Sequence, residues 1–201
     1  MSRLLLARHG NTTGNSAERF WGQTDVELSE AGVRQAEQLG NRLAGEKIDA
    51  IYSGRLRRAS ATAGIIASHH QMEVITCPEL LEINFGEIEG LSFREIGQRY
   101  PELVRAWATR DMSFRYPGGE GISELDRRVT KFYKRLQKHA PGETVLVVAH
   151  SGVLRLLICH LLQIDIWHWR QLYIDLASLS TVETHLQGAT LLSLNDTSHL
   201  H

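Results

Sequence analysis

"LLLARHGNTTGN", residues 4–15, and "VLVVAHSGVLRLL", residues 145–157, share one layout: an apolar run, then a histidine, then a glycine within two residues. A short unbroken apolar run is the pattern of a strand buried on both faces, as in a parallel sheet. Ligands of open parallel sheets gather beyond the carboxyl ends of the strands. The cationic pair Arg8-His9 and the lone His150 stand at two such ends, so the first question is whether they form one site.

Working outward, the alternation around those runs decides the fold class. After the strand at Leu4–Ala7, "LSEAGVRQAEQLGNRLAGEK" places Val33, Ala36, Leu39 and Leu43 at helical spacing, with Ser29 as a cap and Gly45 as a stop. "IDAIYSG" (48–54) reads as a strand, "RRASATAGIIASHH" as a helix and "EVITC" (73–77) as a further strand. Residues 78–121 differ, with short helical pieces broken by Pro101 and by "YPGGEG", and are expected to pack over the sheet as a lid insertion. A long amphipathic helix is predicted from Ile122 to His139, with Leu125, Val129, Phe132, Tyr133 and Leu136 as its apolar stripe. Strand 144–149, helix 152–162 and an antiparallel hairpin around Gln187-Gly188 complete the chain. The expectation is a three-layer α/β/α fold with a mostly parallel central sheet, one domain over residues 1–201 with its lid at about 78–121.

Composition narrows the function classes. The 201 residues carry a net charge of −1, so no global field draws in nucleic acid or an anionic membrane, and neither is expected as a partner. The N-terminal apolar run is too short for a signal peptide or a membrane span. Cys77 and Cys159 stand far apart and read as buried thiols of a reducing, cytoplasmic protein. His69, His70, His160, His168 and His185 lack ligand-like spacing, and no metal or other cofactor is expected. Trp167, Trp169 and Tyr173 are read as packing residues. The exposed edge strand near the C-terminus would permit a homodimer.

Any affinity for anions must then be local. Three predicted strands end in polar residues: Arg8-His9, Ser53-Gly54 leading to Arg58, and His150-Ser151-Gly152. Converged at one sheet edge, with Asn15 as a further donor, they make an oxyanion site, because guanidinium forks match phosphate oxygens and stay charged. A histidine among arginines is held neutral, and neutral imidazole is a nucleophile. The missing proton donor is best sought at Glu82, where Leu80, Leu81, Ile83 and Phe85 are expected to desolvate the carboxyl. Glu79, Glu87 and Glu89 compete for that role, and the residues alone do not choose. In "RLRR" (55–58), three of the four residues read as an ordinary solvated helix face.

"ARHGNTTGN", "RFWGQTDVELSEAGVRQA", "YSGRLRRASATA", "LLEINFGEIEG", "PGGEG" and "VLVVAHSGVLRLL" together resemble, in order and spacing, the motifs of the histidine phosphatase superfamily with its phosphoglycerate-mutase-like fold. The resemblance spans nearly the whole chain. It implies a metal-independent phosphomonoesterase acting through phosphohistidine on a small-molecule phosphate monoester. It implies His9 as nucleophile and Glu82 as proton donor and later base, with Arg8, Arg58 and His150 completing the phosphate pocket. Asn15 and the Gly152 backbone would add hydrogen bonds, beside Ser151, and the Trp21-Gly22 loop would border the substrate. "GGEGISELDRRV" and "IWHWRQLYIDLASLSTVE" further resemble the α-ribazole phosphatase subfamily, which implies α-ribazole 5′-phosphate of cobalamin synthesis as substrate. The alternatives are a broad-specificity or phosphoserine-type phosphatase, a phosphoglycerate mutase, or a silent phospholigand-binding module. The presence of Arg8, His9, Arg58, Glu82 and His150 together argues against the last.

Overall fold

A computed structural model describes residues 1–14 and 19–201. Strands β1 (Arg3–Arg8), β2 (Ala50–Ser53), β3 (Val74–Thr76), β4 (Thr144–Ala149), β5 (Leu179–His185) and β6 (Gly188–Asp196) form one sheet in the order β3-β2-β4-β1-β5-β6. The pairs β1–β4, β4–β2 and β2–β3 are parallel, and β5 and β6 add an antiparallel hairpin on the far side of β1. The mostly parallel sheet and the closing hairpin are therefore as the sequence predicts. Register aligns the strand ends: Arg8 faces Ala149 across β1–β4, and Ser53 faces Val148 across β2–β4. His9 and His150, one residue beyond, must emerge side by side.

Successive strand residues point to opposite faces, and both faces are buried. From β1, Leu5 and Ala7 join Leu39, Leu43, Ala63 and Ile66, so α1 (Glu30–Leu43) and α2 (Arg57–Ser68) cover one face. Leu4 and Leu6 join Leu125, Val129, Phe132, Val153 and Leu157, so α5 (Ile122–Leu136) and α6 (Ser151–Leu162) cover the other. That is the expected three-layer α/β/α arrangement. Truncating one such leucine, Leu5→Ala, would cost about 2–5 kcal/mol by lost transfer energy and a cavity.

Two local readings change. Val33 is 37% exposed, and the buried face of α1 runs instead through Gly32, Ala36, Leu39, Gly40 and Leu43. The cause is steric: a Cβ at Gly32 would lie 1.9 Å from the Asn11 carbonyl oxygen, so only glycine lets α1 press against the loop after β1. Ser29 caps α1 as predicted, accepting from the Gly32 amide at 3.1 Å. In "RLRR", Leu56 is buried with Arg58, and only Arg55 and Arg57 face solvent.

Within 78–121, α3 (Phe93–Arg99) and α4 (Pro101–Ala108) are separate helices, Pro101 opening the second at its first position, where its missing N–H costs nothing. Leu80, Ile83, Ile88, Ile96, Leu103 and Tyr116 of this segment share the core with α5 and α6. Trp169 packs as expected, whereas Trp167 and Tyr173 are exposed, at 42% and 65%. Both cysteines are free and buried. No described helix is long and apolar enough to cross a membrane.

Candidate active site

The rings of His9 and His150 lie with centroids 5.0 Å apart, inclined at 58°. Backbone bonds fix the strand end on both sides: His9 N–H donates to the Ala149 carbonyl of β4, and the Ala177 amide donates to the His9 carbonyl. His9 Nδ1 is 2.8 Å from the Gly10 carbonyl oxygen. A carbonyl only accepts, so Nδ1 carries the hydrogen and Nε2 presents its lone pair. His9 retains 6% exposure and His150 none, so solvent reaches the pair at His9. Burial pushes the His9 pKa well below the ordinary value, and the charges of Arg8 and Arg58 push it further in the same direction. Desolvation, which the flanking arginines in the sequence do not signal, is the larger cause.

His150 begins where β4 ends and caps α6 with its backbone, while neither ring nitrogen has a hydrogen-bond partner among the described residues. Burial first, then His9, Arg58 and Arg8, depress its pKa. A buried imidazole with both nitrogens unpartnered is costly and calls for an explanation. A ligand oxygen accepting from it supplies one.

Arg8 and Arg58 flank the rings. Arg8 Nη1 donates to the Ile174 carbonyl at 2.8 Å, and its Nε is buried with no partner among the described residues. Arg58, 3% exposed, donates from Nη1 to the Thr24 carbonyl at 2.8 Å and from Nη2 to the Gly22 carbonyl at 2.6 Å. Among the described residues both guanidiniums keep further N–H donors without a partner. The loop at Trp21-Gly22 thus meets the site through carbonyl oxygens that steer Arg58. Gly22 has φ +44°, and a Cβ there would lie 2.1 Å from Glu89 Oε1. Asn15 lies outside the described residues. Ser151, half-buried, is the first residue of α6 and makes no hydrogen bond through its side chain among those described.

Geometry separates the competing glutamates. Glu82 Oε2 accepts from the Gly152 amide at 3.2 Å, and Oε1 from the Ile83 amide at 3.0 Å, which puts its carboxylate at the N-terminus of α6 beside His150. Glu89 braces the neighbouring loop, accepting from the amides of Gln23, Thr24 and Phe85. Glu87 accepts from the Tyr100 hydroxyl, and Glu79 sits 3.9 Å from Arg135. The Gly152 amide, expected to face phosphate, is engaged with Glu82 instead, because a helix N-terminal N–H takes the nearest carboxylate. A side chain at Gly152 would collide with that carboxylate, its Cβ 2.6 Å from Oε1.

Sequence reasoning missed three supports. Thr62 Oγ1 accepts from the Gly10 amide at 3.2 Å and donates to the Arg58 carbonyl at 2.8 Å, tying the two cationic segments together. Arg128 of α5 donates to the carbonyls of Glu79, Leu81 and Glu82 and pairs with Glu120 at 2.8 Å, holding the turn that carries Glu82. Arg155 of α6 lies within Coulombic reach of Arg8 and Glu82. Its spacing to Gly152 on one helix face was the available signal.

A cavity of about 900 Å³ lies at the opposite end of the sheet, bordered by Met1, Ser2, His139 and His185. Its histidines are already engaged, His139 with Tyr52 and Glu143, and His185 with Thr190. Arg8 Nε and both ring nitrogens of His150, without a hydrogen-bond partner among the described residues, lie at the other end. Among the described residues no group of three or more His, Cys, Asp or Glu side chains could hold a metal ion.

Two arginines, two histidines and a carboxylate gather at the carboxyl edge of the parallel sheet, a donor set whose chemistry suits a phosphate ester. Residues 4–197 match the model of the histidine phosphatase superfamily (branch 1), and the chain belongs to that family. It is 34% identical over 200 residues to phosphoserine phosphatase 1 of Hydrogenobacter thermophilus, covering 100% of this chain and 95% of that one. It is also 34% identical over 197 residues to the adenosylcobalamin/alpha-ribazole phosphatase of Escherichia coli, covering 96% and 95%. The crystal structure of a putative alpha-ribazole-5′-P phosphatase from Escherichia coli superposes with a TM-score of 0.90 at 32% identity, over 97% of this chain and 96% of that one. The protein is accordingly a phosphatase, of a family that acts on small phosphate monoesters.

Proposed function

We propose that the protein hydrolyses a small phosphate monoester in two steps through phosphohistidine at position 9. The supporting observation is the ring pair: His9 Nε2 makes no hydrogen bond among the described residues, its Nδ1 is tied to Gly10, and the ring centres of His9 and His150 lie 5.0 Å apart. In the first step the Nε2 lone pair attacks phosphorus, the N–P bond forms, the ester P–O bond breaks, and Glu82 delivers its proton to the departing alkoxide. Arg8, Arg58 and one N–H of His150 hold the equatorial oxygens as charge shifts in the transition state. In the second step the Glu82 carboxylate takes a proton from water, whose oxygen attacks phosphorus. The P–N bond breaks and inorganic phosphate leaves. Gly152 orients Glu82 through its amide, the Trp21-Gly22 loop orients Arg58, and Ser151 borders the phosphate; the family resemblance adds a hydrogen bond from Asn15. The segment 78–121 acts as a lid over the alcohol.

For the alcohol, α-ribazole 5′-phosphate is the reading that the subfamily motifs favour and the likeness to the Escherichia coli enzyme supports. Phosphoserine is the second reading, supported at the same identity by the Hydrogenobacter enzyme. The chemistry is tested by turnover of an aryl phosphate with and without a chelator. The rate is expected to be unchanged by EDTA; a loss restored by one divalent cation contradicts the arginine-held pocket.

A further inference from the structure

The turn at Leu176-Ala177, which leads into β5, meets the catalytic strand end through backbone atoms. The Ala177 amide donates to the His9 carbonyl at 3.0 Å, and the Arg8 amide donates to the Ser178 carbonyl at 3.2 Å. Ala177 is fully buried and has φ +54°, a left-handed backbone that alanine adopts only at a cost. Such a conformation persists where the surroundings over-determine it. Here they come from the C-terminal segment. His199 Nε2 is 2.9 Å from the Ala177 carbonyl oxygen, and its Nδ1 is 3.1 Å from Arg42 Nη1. A carbonyl only accepts and a guanidinium only donates, so Nε2 carries the hydrogen and Nδ1 the lone pair. Arg42, in the last turn of α1, also donates to Ser198 Oγ at 3.0 Å and pairs with Asp196, which fixes the ring against a core helix. Burial pushes the His199 pKa below the ordinary value, with Arg42 adding to it and the bond to Ala177 opposing it. Asn195 secures the start of the same turn, accepting from the Asp175 amide and donating to Asp175 Oδ2 at 3.0 Å.

A single residue therefore links the His199 ring to the His9 backbone. His9 is held by Ala149 of β4 on one side and by Ala177 on the other. Without the His199 bond, the Ala177 peptide loses the contact that opposes its relaxation to an ordinary φ. We propose that His199 is a positioning residue for the nucleophile: through the Ala177 peptide it holds the His9 backbone, and with it Nε2, in the line of attack on phosphorus. The inference rests on the reading of His9 as that nucleophile. Attack is sensitive to such placement, since a shift of about 1 Å can cost about 10²-fold in rate. The fold is less sensitive, because His199 is only half-buried and lies two residues from the end of the chain.

The test compares His199→Phe, which keeps a ring and loses both nitrogens, with His199→Gln, whose amide N–H can reach the Ala177 carbonyl. In a single turnover of p-nitrophenyl phosphate, release of nitrophenol reports the attack by His9 without a demand on Glu82 as acid. His199→Phe is expected to slow that release about 10- to 10²-fold. Competitive inhibition by inorganic phosphate is expected to stay within about twofold, because the donors of Arg8, Arg58 and His150 remain. His199→Gln is expected to recover about tenfold of the lost rate, as one restored hydrogen bond allows. His201→Ala, at the exposed end of the same segment, is expected to match the wild type. An unchanged release rate in His199→Phe overturns the inference. So does a parallel loss of phosphate binding, as a general loosening of the pocket would give. His199→Gln no faster than His199→Phe, or an equal loss in His201→Ala, also overturns it. Should His199→Phe fail to fold, the chain ending at Ser198 takes its place, with the same slowing expected and a wild-type rate overturning the assignment. Labelling of the wild type keeps the two claims apart. Phosphorylated His9 with full speed in His199→Phe defeats this inference alone, whereas a wild type that turns over with no label on His9 removes both.

Discussion

His9 and His150 end neighbouring parallel strands, in register and with similar burial, yet they are supported in opposite ways. His9 has one nitrogen tied to its own following carbonyl, and some exposure. His150 has no exposure and, among the described residues, no partner at either nitrogen. The first arrangement fixes a tautomer and leaves one lone pair pointing at whatever enters, as a nucleophile needs. The second leaves an N–H to be satisfied by the oxygen of a bound group. Under the proposed chemistry, equivalent positions in a sheet thus acquire different roles from the few atoms next to each ring.

Substitution should break this symmetry unevenly. His9→Ala is expected to lose on the order of 10⁴-fold or more in kcat on an aryl phosphate, because the covalent route vanishes. Glu82→Gln is expected to lose about 10²- to 10⁴-fold on an alkyl phosphate and clearly less on p-nitrophenyl phosphate, whose leaving group needs no proton. A loss independent of the leaving group would remove Glu82 from the acid role. His150→Ala is expected to cost on the order of 10²-fold, the loss of one donor to the transition state. If its loss equals that of His9→Ala, the two histidines act as one unit and the distinction drawn here fails.

The smallest effect is on stability. Both imidazoles have folded-state pKa values pushed well below the ordinary histidine value by burial. The unfolded chain therefore takes up protons, near pH 6.5, that the folded chain refuses. Stability is whole above that pH and falls as pH drops toward the depressed values, by up to about 1.4 kcal/mol per pH unit for each histidine. Urea unfolding followed from neutrality to about pH 5.5 should show this slope, and the double variant His9→Ala, His150→Ala should flatten it. An unchanged slope would mean that other groups carry the acid sensitivity.

The parallel strands, the helices between them and the meeting of Arg8, His9, Arg58 and His150 were legible because apolar runs and helical periodicity are local signals. Their common position at the strand ends follows from parallel register. What periodicity cannot supply is the rotation of a helix about its axis when a close approach overrides the apolar stripe, as Gly32 does for α1 at the expense of Val33. Nor does it supply partners chosen by tertiary packing. The bond between Glu82 and Gly152 joins residues 70 apart in the chain. Arg128 reaches its carbonyls from a helix whose charged side reads as ordinary solvated surface. Thr62 stands in "RRASATA" and bonds the Arg58 carbonyl within α2, yet its bond to Gly10 exists only once β1 and α2 are side by side.

Everything in the catalytic account turns on a covalent bond between phosphorus and one ring nitrogen. Protein mixed with an ester carrying a radiolabelled phosphoryl group and quenched in alkali should retain label that is stable to base and released by acid, as a phosphoramidate is. Peptide mapping should place it on His9, and His9→Ala should carry none. Turnover with no labelled protein, or label persisting in His9→Ala or lying on another residue such as Ser151, would contradict the account.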